Sequence, residues 1–474
     1  MLLSRTFLLV LVAAAPAGEA PLRLDLQGAL ALAAAHSPAL AMRREEVAAA
    51  AVRTRGATSR LLPRVSLTAR YTRLSYVAPG QIELPLKLPN QPAPDPVVLG
   101  DVIRDQFANA VVLEQPLFTG LTLLNTREAA VHGESAAVQR LRQEEQDLAL
   151  RVEEAYFGLL KARQLRDVAE QSTRVLSAHL GQLERVAREG AATPLDVSRT
   201  RTRVASMRVQ ELQARAAEGL AQLGLVTLLG LEADATLELT EDLDRLPAPP
   251  EGDLPARRPE LAAARAAVAA KEAQARAASG PLWPQLLLRA SAQYDSPNQR
   301  YFPLRNEFHP SWDASVVLSW AAWDWGATWF TWRAAQHDAL AARHAVEQLE
   351  EAARTEVERR RLDTATAGER RSASAEAVAV AEQALRRAQS LCDAGQASCL
   401  GVLDAEAELT RLRAEWVQTR ADQRLAAAQL ARALGTLCLP DRGDCGATGA
   451  APPGPAEPAG PERTPGSPLH PPLP

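Results

Sequence analysis

Two stretches of this 474-residue chain, 121–189 and 327–394, contain no proline and are dense in Ala, Leu, Arg, Glu and Gln. These are strong helix formers. At about 1.5 Å per residue, some 68 residues predict a helix of roughly 100 Å. No compact domain is that wide. The pair therefore predicts an elongated helical bundle or coiled coil, and everything else in the chain must fit beside it.

The two stretches belong to one unit written twice. His36-Ser37-Pro38-Ala39-Leu40 recurs as Arg257-Arg258-Pro259-Glu260-Leu261, and Leu61-Leu62-Pro63-Arg64-Val65 as Leu282-Trp283-Pro284-Gln285-Leu286, both at an offset of 221. Leu117-Phe118-Thr119-Gly120 matches Trp323-Asp324-Trp325-Gly326 at 206, and Gly190 matches Gly395 at 205. The first copy thus carries about 15 extra residues, within the Pro-rich segment 78–105, which reads as a long loop. Each copy predicts a first helix (27–59 and 258–279), two strands, a very long helix, a short turn and a second helix. The layout is a signal segment 1–17, a first repeat 18–230, a linker 231–257, a second repeat 258–437, and a tail 438–474 holding a Cys pair and Pro-rich sequence expected to be disordered.

Composition narrows the function classes. Fifty Arg and three Lys face 57 acids, for a net charge of −4, which excludes a strongly basic nucleic-acid binder. After residue 15 no run of about 18 uncharged apolar residues occurs, so no transmembrane helix is expected. Arg5, the apolar run Thr6–Ala15 and Ala15-Pro16-Ala17 read as an export signal with its cleavage site. In an oxidising compartment the pairs Cys392/Cys399 and Cys438/Cys445 suggest two local disulfides. A zinc site is the alternative, against which the spacing and the lack of nearby His both speak. Neither Gly-x-Ser-x-Gly nor His-Glu-x-x-His is present, so no enzyme, metal centre or cofactor is expected.

The strands have an unusual character. Trp312, Ala314, Val316, Leu318 and Trp320 fall on one face, and Asp313, Ser315, Val317 and Ser319 on the other. Eight steps of about 3.3 Å separate the two Trp, roughly 26 Å, close to the apolar band of an outer-membrane barrel with an aromatic at each rim. Val65, Leu67, Ala69 and Tyr71 alternate with polar residues, as do Leu288, Ala290 and Ala292; the strand 107–117 is apolar on both faces at 110–113. Six of the eight Trp lie in 312–332, where Trp312, Trp320 and Trp323, with Tyr71, form a candidate interfacial belt. A half-buried sheet in a soluble domain is the bland alternative. Four strands cannot close a barrel, so a membrane reading requires several chains to share one.

At this point the residues resemble a family, the TolC-like outer-membrane efflux proteins. The matching marks are Leu26-x-x-Ala29-Leu30 with Ser37-Pro38-Ala39-Leu40, Leu61-Leu62-Pro63-Arg64-Val65-Ser66-Leu67, Glu114-Gln115-Pro116-Leu117-Phe118-Thr119-Gly120, and Gly395 followed by Val402-Leu403-Asp404-Ala405-Glu406. The resemblance implies a mainly α fold with a membrane β-barrel. Duplicated long-helix hairpins form a periplasmic α-barrel, and four strands per chain enter a twelve-stranded barrel shared by a homotrimer. It implies a passive exit duct in the outer membrane, contacting outer-membrane lipid, docked on a periplasmic adaptor and an inner-membrane pump, for efflux or type I secretion. A soluble periplasmic coiled-coil scaffold or adaptor is the alternative.

The turns between long helices are the candidate adaptor-contacting tips: Gly190, Thr193, Pro194, Leu195 and Asp196 in the first, Gly395, Ser398, Leu400 and Gly401 in the second. Gly190 can end a helix, and Thr193 and Ser398 can cap the next, Pro194 taking its first position. By family likeness, acids just after the second tip ring the pore. The family often has two, three residues apart; here one position is Gly401, leaving Asp404 as the candidate gate. An exposed helix acid is the structural alternative.

Overall fold

The computed structural model describes residues 22–78, 80–82, 97–99, 101–189, 193–245, 258–394, 396 and 400–440. Strand β1 (Leu22–Leu24) is followed by helices α1 (Leu26–His36) and α2 (Pro38–Ser59) and strand β2 (Arg64–Arg73). A short hairpin, β3 (Gly80–Ile82) and β4 (Val97–Leu99), leads to β5 (Asp105–Phe118), α3 (Thr122–Arg188) and α4 (Pro194–Leu229). The second half runs β6 (Leu237–Leu239), α5 (Pro259–Ala278), β7 (Gln285–Asp295), β8 (His309–Ser319), α6 (Ala327–Asp393) and α7 (Leu400–Leu434).

The long helices end within one residue of the expected bounds 121–189 and 327–394. Each has 67 residues, and since 327 − 122 and 393 − 188 both equal 205 they align end to end. Each starts after a glycine with positive φ, Gly120 (60°) and Gly326 (82°). A Cβ on Gly120 would sit 2.1 Å from the Gly280 carbonyl oxygen, so this turn admits no side chain.

The single first helix expected over 27–59 is two. Ser37 sits at ψ 114°, off the helical region, because the following Pro38 disfavours α geometry. Its hydroxyl then accepts from the Leu40 N–H and caps α2. The loop expected over 78–105 carries the antiparallel hairpin β3–β4. A parallel pair, β1 with β6, ties the N-terminus to the segment between the repeats.

Helix α3 packs on α1, α2, α4, α5 and α7, whereas α6 packs on α5 and α7. Across the molecule the helices run α2–α3–α5–α6 near the sheet and α4–α3–α7–α6 toward the turns. The main core forms where α3 meets α1, α4 and β1: Tyr156, Phe157, Val152, Leu148 and Leu159 pack with Leu225, Leu229, Leu30 and Leu40. Tyr156 Oη donates to the Leu24 carbonyl at 2.9 Å, which satisfies its hydroxyl inside the core. The segment after β6 is gripped by α7: the Arg420 guanidinium bonds Asp242 (3.2 Å) and Asp244 (2.5 Å), and Arg371 of α6 also reaches Asp244 (2.9 Å).

Candidate functional site

The four-stranded sheet has the order β2-β5-β7-β8, antiparallel throughout. Its register sorts side chains onto two faces, because directly opposed residues point the same way. One face collects Val65, Leu67, Ala69 and Tyr71; their partners Leu113, Val111, Asn109 and Phe107; then Leu286, Leu288, Ala290 and Ala292 with Leu318, Val316, Ala314 and Trp312. The other collects Arg64 opposite Glu114 and Arg289, Ser66 opposite Val112 and Ser291, and Asp313 opposite Ser291. The apolar face is bare, with Leu67 and Trp312 each 77% exposed. A continuous uncovered face of this kind marks an interaction surface.

Aromatic residues bracket that face. At one end Tyr71 packs on Phe107 (5.1 Å between centroids), Phe107 on Phe308 (5.6 Å) and Phe308 on Tyr294 (5.2 Å), with Trp312 nearby in sequence register. At the other end Trp320 donates its Nε1–H to the Leu282 carbonyl (3.2 Å), Trp323 packs edge-on to Trp325 (5.7 Å), and Trp325 is 85% exposed. The sequence pattern found Trp312, Trp320, Trp323 and Tyr71. It missed Phe107, Tyr294 and Phe308, whose rings converge only through the strand register.

The segment joining β7 to β8 folds back onto the polar face. Arg300 donates to the Trp312 carbonyl (2.8 Å) and to Asp313 (2.5 Å), and Asn298 donates to the His309 carbonyl and to Ser311 Oγ (both 2.9 Å). Within the chain the outer sides of β2 and β8 have no strand partner. Three antiparallel steps separate them, so these two edges run in opposite directions.

At the far end of the helices, Thr193 Oγ1 accepts from the Asp196 N–H (3.2 Å) and Pro194 occupies the first turn of α4, with Leu195 exposed beside them. Gly190, Gly395, Ser398, Cys399 and Cys445 lie outside the described residues. Leu400 opens α7. Gly401 and Asp404 are exposed in its first turns, and a Cβ on Gly401 would meet open space. Asp404 precedes Arg420 by sixteen residues, which turns it about 160° around the helix from the face that grips Asp242 and Asp244. The structure does not bring Asp404 near the tip residues of α4 into any hydrogen bond or ion pair among the described residues. Cys392 and Cys438 each take part in a disulfide.

Sequence pattern singled out neither of two acids, one buried and one half-buried. Glu406 is buried two residues beyond Asp404, on the opposite side of α7, and burial raises its carboxyl above the ordinary range against the pull of Arg413. Half-buried Glu153 on α3 is pushed up to about 7 by burial, opposed by Arg424. A hydrophobic helix face gave no sign of either.

Among the described residues no helix is long and apolar enough to cross a membrane. The outer membrane efflux protein family model matches residues 29–231 and 252–436. Among curated proteins none matches the chain. Solved structures share its fold. The outer-membrane channel OprN is 21% identical over 86% of this chain and 89% of its own, with a TM-score of 0.72. CusC, in a study of its folding and transmembrane channel formation, is 19% identical over 90% and 95%, at 0.74. The outer membrane protein VceC from Vibrio cholerae is 19% identical over 86% and 96%, at 0.71. With a family match across most of its length and a two-faced sheet feeding long helices, the chain belongs to the outer membrane efflux protein family.

Proposed function

We propose that three copies close one twelve-stranded barrel in the outer membrane, continued by a helical tunnel across the periplasm, and that the assembly is the passive exit duct of a tripartite efflux or type I secretion system. The observation that carries this reading is the sheet with one bare apolar face and two unpaired edges of opposite direction. In lipid an unpaired backbone edge costs several kcal/mol per group. Because β2 and β8 run oppositely, β8 of one copy meets β2 of the next in antiparallel fashion, and three copies reach twelve strands. A soluble scaffold or adaptor has no use for aromatic rims around an uncovered sheet.

The full-length chain, expressed with its export signal, is expected in the outer-membrane fraction as an oligomer that collapses to monomer only on heating. A soluble monomer overturns the reading.

The tips are the adaptor-docking and opening end. Asp404, turned away from the outer grip on Arg420, faces the tunnel axis, where three like charges favour cations and disfavour anions at the closed gate. Asp404→Asn is expected to reduce the cation preference of single channels severalfold while the oligomer survives; an unchanged ion preference removes Asp404 from the gate. The pair Cys392–Cys399 staples the second tip, and Cys438–Cys445 closes the end of the second repeat. Peptide mapping without reductant checks both linkages, and free thiols at 392 and 399 dispose of the staple.

A further inference from the structure

Between Glu46 and Glu83 the chain holds six arginines (Arg53, Arg55, Arg60, Arg64, Arg70 and Arg73) and neither an acid nor a lysine, although the whole chain is at −4. This run spans the end of α2 and all of β2, the edge wall of each copy. Arg53, Arg55, Arg60, Arg64 and Arg70 have no ion pair among the described residues.

The register places Arg64 and Arg70 on the polar face of the sheet, opposite Glu114 and Ala108. The helix continues the same wall. Thr54 Oγ1 donates to the Ala130 carbonyl (3.2 Å) and Thr58 Oγ1 accepts from Arg127 Nε (3.2 Å), so these two threonines face α3. An α-helix turns about 100° per residue, which sets Arg53 and Arg60 to one side of that contact and Arg55 to the other. The hand of the sheet follows from Phe107, which exchanges both backbone bonds with Ser296, just past the end of β7, while its ring lies on the apolar face. With that hand, Arg53 and Arg60 lie on the polar side and Arg55 on the apolar side. Arg53 lines a groove there with Glu46, Gly133 and Arg140.

The acids on the polar face of the sheet are few and already engaged. Glu114 lies 3.9 Å from Arg289, Asp313 is bonded by Arg300 and Ser291, and Asp295 accepts the Asn109 N–H. The surplus is therefore positive and concentrated on one wall.

We propose that this wall biases the barrel section of the duct toward anionic solutes, with Arg64 and Arg70 as its specificity-determining residues and Arg53 and Arg60 extending it into the tunnel. The proposal rests on the polar face being the lumen, as the function proposed above requires. Repeated around a ring, the arginines sum to a local potential of order kT or more inside a low-dielectric wall. The Asp404 ring at the other end has the opposite sign, so the two ends of the conduit sort charge differently.

The test is the rate at which a lumen thiol reacts with small anionic and cationic methanethiosulfonate reagents in cells carrying the full-length oligomer. Thr68→Cys lies between Arg64 and Arg70 on the same face, and Leu67→Cys lies on the apolar face; the parent chain supplies the background. Each kT of potential changes the anionic-to-cationic rate ratio by about sevenfold, since it acts on the two reagents in opposite directions. Relative to a free thiol, the ratio at Thr68→Cys is expected to be about sevenfold in favour of the anion. It should fall to near one in R64Q/R70Q and in 1 M salt, and persist in R64K/R70K. A ratio at or below one, or one unmoved in an R64Q/R70Q chain that still forms the heat-labile oligomer, overturns the proposal. Labelling of Leu67→Cys as fast as Thr68→Cys instead overturns the lipid-facing sheet, and with it the duct.

Discussion

Helices α3 and α6 are twins in length and in place within their repeats, yet they live in different surroundings. Phe157 of α3 is 1% exposed in the main core, while its counterpart at the constant offset of 205, Leu362 of α6, is 69% exposed. Other pairs agree: Val152 and Val357 are both buried. The inner seam of the repeat is thus kept and the outer seam is not. Within one copy α3 is enclosed by five helices and α6 by two, so the twin at the edge carries an exposed apolar side chain. The repeat copied the helix, and position in the bundle decided which copy is covered within the chain.

The sharpest way to break this comparison is to truncate both members of the pair. Phe157→Ala removes a fully buried ring and should cost the chain about 3–5 kcal/mol, read as a lowered denaturation midpoint. Leu362→Ala should leave the isolated chain unchanged but lower the temperature at which the oligomer dissociates. Equal losses in the monomer would mean that the exposed seam is not a seam between copies.

A second pair tests the same asymmetry through charge. Glu153 is half-buried with its carboxyl raised from 4.5 to about 7, whereas Glu358, its counterpart at 205, is exposed and paired with Arg361. The folded chain holds a proton on Glu153 that the unfolded chain releases between pH 4.5 and 7, so stability falls as pH rises through that window. Glu153→Gln should abolish this fall and raise stability at pH 8 by at most about 3 kcal/mol, with no gain at pH 4. Glu358→Gln should change neither value. Thermal melts at the two pH values check both.

The smallest effect belongs to the tips. Thr193→Ala removes the hydroxyl that caps α4 and should cost about 1 kcal/mol, seen as faster amide exchange in its first turn. Exchange unchanged at residues 195–197 would show that Pro194 alone fixes the start of the helix.

Much of this could be read from residues in order. The proline-free, helix-favouring composition marked the long helices and the glycines at 120 and 326 their starts, and period-two alternation found β8. Contacts made across strands and between helices were not readable in the same way. Phe107, Tyr294 and Phe308 form a rim only after β5, β7 and β8 are in register. Phe157 and Leu362 look alike in a repeat alignment, because burial depends on which helices lie alongside. The break at Ser37 was legible in principle from Pro38, but the apolar pattern runs through it and hides it. The face chosen by Arg53 and Arg60 needs the hand of the sheet, which no one-dimensional pattern contains.

The two unpaired edges of the sheet, opposite in direction, have a consequence for how the proposed ring is built. A single copy in lipid exposes two unpaired strand edges. Two copies joined side by side still expose two, since each new joint covers one edge of either partner and leaves the far ones bare. Only the step that closes the circle brings the number to zero. In the ring proposed above every joint, the closing one included, covers two edges, so an open arc of any length keeps one bare edge at each end and only the closed circle has none.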